Sequence, residues 1–127
     1  LYRGRKQLDK ALAWYRRAHM VDRDHFEPLY YIAVTHYLQG DDVSAQQYWR
    51  SSLEIIPGHP WGSYLLAQSL HRSGAMRDAE HFLIQAISQS EAKPREWLLE
   101  LSNWRWDMGD TEGSLQALWV AEAWRQK

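Results

Sequence analysis

The chain has 127 residues, 45% of them hydrophobic and 24% charged, the size and makeup of one globular domain. Its 15 Lys plus Arg against 16 Asp plus Glu leave a net charge of -1. That balance supplies neither the basic face that nucleic acid needs nor the cationic helix of a membrane-surface segment. Without Cys there is no disulfide, thiolate zinc site or cysteine nucleophile, and no apolar run approaches the roughly 20 residues of a membrane span.

Periodicity and turn signals predict helices at 5–21, 26–38, 42–56, 60–72, 75–90, 94–107 and 111–126. The first carries Ala11, Tyr15 and Ala18 and ends at Asp22-Arg23-Asp24. The second has Pro28 in its first turn and runs to Gly40-Asp41-Asp42. The third holds Ala45, Trp49, Ser52 and Leu53 and stops at Pro57-Gly58-His59-Pro60. Pro60 opens the fourth, which ends before Ser73-Gly74; the fifth carries Ala79, Leu83, Ala86 and Ile87. Lys93-Pro94 precedes the sixth, and Gly109-Asp110-Thr111 precedes the seventh, with Thr111 just before the helix and Glu112 and Ser114 in its first turn. A proline in a first turn removes an N–H that has no partner there, so Pro28, Pro60 and Pro94 all suit helix starts.

These elements repeat. Gly40 and Gly74 stand 34 residues apart. Ala45 and Ala79, Trp49 and Leu83, Ser52 and Ala86, Ile32-Ala33 and Leu66-Ala67, and His36 and Leu70 keep the same spacing. One step backward lands on Lys6, Ala11, Tyr15 and Ala18, and the tyrosine expected earlier in that copy falls on Tyr2. Forward, Gly109 follows Gly74 after 35, with Leu98, Leu101, Ser102, Ser114, Leu118 and Ala121 in equivalent places. The last copy therefore carries one extra residue, expected near Ser90 to Pro94.

A period of 34 with a small-residue pair, an alanine, a bulky ring and a closing proline resembles the tetratricopeptide repeat family over essentially the whole chain. Pro57 closes the second copy, whereas Arg23 and Glu91 stand in that place elsewhere and Lys6 replaces a turn glycine. The resemblance implies an all-α fold, a right-handed α-solenoid of antiparallel helix hairpins. Its repeats would be a partial one over about 1–25, then 26–59, 60–93 and 94–127. Small residues (Ala11, Ala18, Ala33, Ala45, Ala67, Ala79, Ala86) let helices approach, and Leu29, Ile32, Trp49, Leu53, Leu66, Leu83, Ile87, Leu101 and Leu118 fill between them. Trp97, Leu101 and Trp104 have the spacing of a buried stripe. Only Leu1 to Gly4 precede the first helix, so the chain reads as a fragment of a longer array. Its cut ends are expected to self-associate, and Trp119 and Trp124 to pack on a further repeat.

In this family the first helix of each hairpin lines the concave face. The resemblance therefore implies a groove built from Glu27, Tyr30, Tyr31, Val34, Tyr37 and Leu38, from Trp61, Tyr64, Leu65, Gln68, His71 and Arg72, and from Glu96, Leu99, Glu100, Asn103, Trp106 and Asp107. Spacings of three and four put each set on one helix face. Two readings of the rings stay open. They pack between hairpins, or Tyr30, Tyr37, Trp61, Tyr64 and Trp106 form a recognition surface to which Gln68, Asn103, His71 and Asp107 add hydrogen bonds. Chaperone-tail receptors of the family clamp a carboxylate with Lys, Asn and Arg. Here those places hold Tyr30, Val34, Leu65, Glu96 and Glu100, and the two glutamates would repel such a tail.

Catalytic signatures are missing from the sequence. His19, His25, His36, His59, His71 and His81 form no HExxH pair or close ligand set, and His36 reads as a core or half-buried residue. No nucleophile elbow or phosphate loop occurs; Gly109 and Gly113 lack the strand such a loop needs, and Glu96 with Glu100 reads as a solvated pair. No catalytic residue, metal site or cofactor is expected. The expected function is a non-catalytic protein–protein interaction scaffold; the alternative is a carbohydrate-binding module that stacks its rings on sugars. The Trp-rich, cysteine-free repeats resemble the periplasmic scaffold regions of bacterial exopolysaccharide export proteins, such as those for Pel, cellulose, alginate and poly-N-acetylglucosamine. That resemblance implies a periplasmic setting and a protein or polysaccharide partner; a cytoplasmic scaffold is the third possibility.

Overall fold

The computed structural model describes residues 5–92 and 94–125. Its elements are α1 (Arg5–Val21), α2 (Phe26–Leu38), α3 (Asp42–Ile55), α4 (Pro60–Arg72), α5 (Met76–Gln89), α6 (Arg95–Asp107) and α7 (Thr111–Arg125), with no strand among the described residues. The chain is an all-α solenoid of helix hairpins. α2 packs along α3, α4 along α5 and α6 along α7, and α1–α2, α3–α4 and α5–α6 contacts join these units. Tyr2 and the rest of Leu1 to Gly4, Lys93, the Trp124 side chain and the expected helix end at 126 lie outside the described residues.

The hairpin turns share one construction. Gly40, Gly74 and Gly109 have φ of 83°, 91° and 83°, a left-handed backbone that a side chain would strain. This reverses the chain so that the next N–H returns to the carbonyl five residues back: Asp41 to His36 at 2.9 Å, Ala75 to Leu70 at 2.9 Å and Asp110 to Arg105 at 2.8 Å. Each glycine N–H also reaches the carbonyl three back, which completes a Schellman turn. The Asp41 and Asp110 carboxylates then cap the following helices through the N–H groups of Ser44 and Gly113, at 3.1 and 2.9 Å. Asp110 is thus the cap of α7, and Thr111 is its first residue, as the range 111–126 has it, and not the residue just before the helix. α3 ends at Ile55 rather than 56, because the residue before Pro57 is driven out of the helical region. The α5–α6 connection covers 90–94 against 56–59 for α3–α4, which is where the extra residue was expected.

The core is the in-phase set. Ala33, Ala45, Ala67, Ala79 and Ala86 are fully buried at helix crossings, and Trp49, Ile32, Leu66 and Leu83 fill the space between. In the last hairpin Ser102 and Ser114 replace the alanine pair Ala67 and Ala79. Their hydroxyls lie 2.9 Å apart, and Ser102 Oγ also donates to the Ser114 carbonyl at 3.0 Å, so burial leaves neither unsatisfied. Trp97 and Trp104 are buried, as the stripe required. Three core expectations need correction. Leu118 is 40% exposed, although its counterparts Trp49 and Leu83 are buried, because no described helix follows α7 to cover it. Leu53 is only half-buried, though it still packs against the core as a filler. Ala11 and Ala18 are only half-buried too, since α1 has a described neighbour on one side alone.

Candidate interaction surface

The faces of α2, α4 and α6 form one row, stitched by side chains. From α4, Arg72 sets its guanidinium 3.9 Å above the Tyr37 ring of α2 and donates to the Tyr37 carbonyl at 3.0 Å. Its Nη2 also donates to Asp42 Oδ1 at 2.7 Å, and Ser69 Oγ donates to the same oxygen at 2.6 Å. Burial works to raise the Asp42 pKa, but the Arg72 and Ser69 hydrogen bonds outweigh it and hold the carboxyl below its ordinary value. Toward α6, Tyr64 stacks on Trp97 at 4.4 Å and His71 on Trp104 at 4.3 Å, with planes within 10° and 9° of parallel. Glu100 accepts from Gln68 Nε2 at 2.8 Å and from the Tyr64 hydroxyl at 3.2 Å. Burial, then the Glu100 charge, pushes the Tyr64 hydroxyl far above its ordinary range.

These contacts separate the residues that one helical face had grouped. Tyr30, Tyr37, Tyr64 and His71 are half-buried rings spent on contacts within the row or with its neighbours. Val34 and Leu99 are half-buried, packed against the core. Gln68 is held by Glu100. Trp61 and Trp106 differ in exposure, at 55% and 61%, although Trp61 also meets Tyr64 and Trp97 in edge contacts at 5.6 and 5.2 Å. Glu27, Glu96, Asn103 and Asp107 are exposed as well. The reading of Glu96 and Glu100 as a solvated pair is corrected for Glu100, which is half-buried and bonded to α4. His36 is buried, stacked on Tyr48 at 5.6 Å and 3.5 Å from Asp41; burial lowers its pKa, against the opposing pull of Asp41.

At the starts of α2 and α4 the row opens into a cleft of about 470 Å3, lined by Asp24, Phe26, Glu27, Tyr30, Tyr31, His59 and Trp61 among others. Helical-face reasoning names Glu27, Tyr30, Tyr31 and Trp61 but misses His25, Phe26, Ile55, Ile56 and His59, which sit at helix ends and turns. The signal was present: His25 and His59 stand 34 residues apart, at one position of consecutive repeats. His59 Nδ1 accepts the Gly62 N–H at 3.0 Å and so caps α4, and burial lowers its pKa. Among the described residues no cluster of three or more His, Asp or Glu could hold a metal ion, and no helix is long and apolar enough to cross a membrane.

A family model described as anaphase-promoting complex, cyclosome, subunit 3 matches residues 4–86. No curated protein matches the sequence. Among solved structures, the chain is similar to a crystal structure of MamA, with a TM-score of 0.82 at 16% identity, over 91% of this chain and 67% of that one. It is similar to a MamA RS-1 ArsTM double mutant, with a TM-score of 0.83 at 10% identity, over 95% and 67%. MamA 41-end from Desulfovibrio magneticus RS-1 gives a TM-score of 0.81 at 10% identity, over 95% and 68%. The chain thus spans about two thirds of each of these structures, and at such identities the likeness is one of fold.

Proposed function

We propose, from the premise that this chain belongs to the anaphase-promoting complex, cyclosome, subunit 3 family of tetratricopeptide-like repeats, that it is a non-catalytic scaffold that holds a protein partner along α2, α4 and α6. Its working units are taken as the hairpins over 26–59, 60–93 and 94–127, with a partial unit before them. The observation that carries the reading is the contrast within the row. Trp61 and Trp106 stand open while Tyr37, Tyr64, Gln68, His71 and Glu100 are locked by neighbours. A surface whose supporting groups are already ordered loses little conformational entropy on binding. Large exposed indoles on such a surface supply hot-spot contact area.

The test is selection of binding peptides by display, followed by titration against the protein and its Trp61→Ala and Trp106→Ala variants. Each variant should weaken binding about ten-fold or more, the cost of truncating a hot-spot tryptophan. Selected peptides that bound both variants as tightly as the parent would end the reading.

A polysaccharide occupant, as in an exopolysaccharide export machine of the periplasm, is the second reading. The same exposed rings, with Asn103 and Asp107 beside Trp106, favour it, since sugar faces stack on indoles and hydroxyls bond to amide and carboxylate. Oligosaccharides that quenched Trp61 and Trp106 fluorescence, where no peptide did, would establish it over the scaffold.

A further inference from the structure

We infer that the cleft between the starts of α2 and α4 takes a cationic side chain, Arg or Lys, from a basic segment of the partner; the assignment rests on the scaffold reading above. The cleft, about 470 Å3, is walled by rings. Phe26 packs on Tyr30 at 5.5 Å and on His59 at 4.5 Å, and Trp61 leaves more than half its surface open at one side. Ring faces carry negative potential and attract a guanidinium or ammonium group.

The charge balance points the same way. Asp24 and Glu27 line the cleft, both exposed, and neither belongs to an ion pair among the described residues. No Lys or Arg lines it. His59 brings no positive charge at neutral pH, because burial depresses its pKa and its Nδ1 accepts the Gly62 N–H. Farther along the row Glu96 and Asp107 are exposed, while Arg72 is already held by Asp42 and Tyr37. That internal trio satisfies, within one chain, the chemistry that the cleft leaves open: a guanidinium on a tyrosine face with a carboxylate beside it. An anionic side chain would meet two carboxylates there, and a neutral apolar one would leave both unused.

The experiment uses three labelled peptides, acetylated and amidated at their ends. They are identical except that two positions carry Arg, the uncharged isostere citrulline, or Glu. Fluorescence anisotropy against the protein should rank Arg about ten-fold or more above citrulline, with Glu weakest, and salt should weaken the Arg peptide alone. Glu27→Gln should weaken the Arg peptide about two- to five-fold and leave the citrulline peptide unchanged. Asp24→Asn should act in the same direction, and both residues are exposed, so neither change disturbs packing. Citrulline or Glu peptides that bound as well as Arg would overturn this assignment and leave the scaffold reading standing. An Arg preference that survived Glu27→Gln together with Asp24→Asn would also overturn it, by placing the cation elsewhere.

Discussion

Tyr64 lies flat on Trp97, ring centroids 4.4 Å apart, while its hydroxyl donates to Glu100 one turn farther along the same helix. One side chain of α4 thus fixes both the apolar and the polar contact with α6. The two contacts should be separable. Tyr64→Phe keeps the stack and loses the hydrogen bond, an expected loss of about 1 kcal/mol. Trp97→Ala removes a buried indole and should cost about 3–5 kcal/mol. Urea unfolding followed by far-ultraviolet circular dichroism reads both; equal losses would mean that the stack contributes little.

Trp49 and Leu118 occupy the same repeat position with opposite burial. Trp49→Ala should cost about 3–5 kcal/mol, because α2, α3 and α4 all close around it. Leu118→Ala should cost about 1 kcal/mol or less, since much of that side chain already meets water. Thermal unfolding of both variants checks the difference, and similar shifts would contradict it.

Ser102 and Ser114 form a buried pair where the preceding hairpin has two alanines. Ser102→Ala should cost about 1 kcal/mol, as it strands the Ser114 hydroxyl, and Ser114→Ala should cost less, since Ser102 keeps its bond to the carbonyl of residue 114. The double change to Ala restores the Ala67–Ala79 arrangement, so its cost should fall below the sum of the two. Strict additivity in a double-mutant cycle would show that the two hydroxyls are independent.

Acid should destabilise the fold in two stages. His36 and His59 have pKa values lowered below the ordinary 6.5, so they favour the neutral folded form. Their contribution is fully present above 6.5 and is lost as pH falls through the lowered folded values. Asp42, lowered below 3.8, contributes above that value and loses its contribution as pH falls through its own folded pKa. Urea midpoints should therefore decline as pH falls below 6.5 and again as it falls below 3.8. A Asp42→Asn variant should lack the Asp42 part of the second decline; an unchanged acid profile in that variant would remove Asp42 from the account.

The helices and their pairing were readable because small and bulky residues recur in phase, and because Gly40, Gly74 and Gly109 mark each reversal. Repeat register also placed Trp61, Tyr64 and Trp106 on the correct helices. It could not separate Tyr64 from Trp61, since both meet Trp97 of the neighbouring hairpin and only the geometry, flat for Tyr64 and edge-on for Trp61, decides which ring is covered. The bonds of Glu100 are hidden from sequence for the same reason: its partners Tyr64 and Gln68 lie 36 and 32 residues away. The cleft is not legible in a helical-face pattern because His25, Phe26 and His59 belong to helix starts, where that pattern does not apply.

The eight tryptophans offer a direct assay of which face binds. Indole N–H signals in two-dimensional NMR, assigned by single substitutions, can be followed while a display-selected peptide is titrated in. Trp61 and Trp106 should shift or broaden together, while Trp119, 76% exposed on α7, stays in place. Movement of the Trp119 signal with Trp61 and Trp106 unchanged would put the partner on the opposite helices and contradict the assignment of α2, α4 and α6 as the interaction surface.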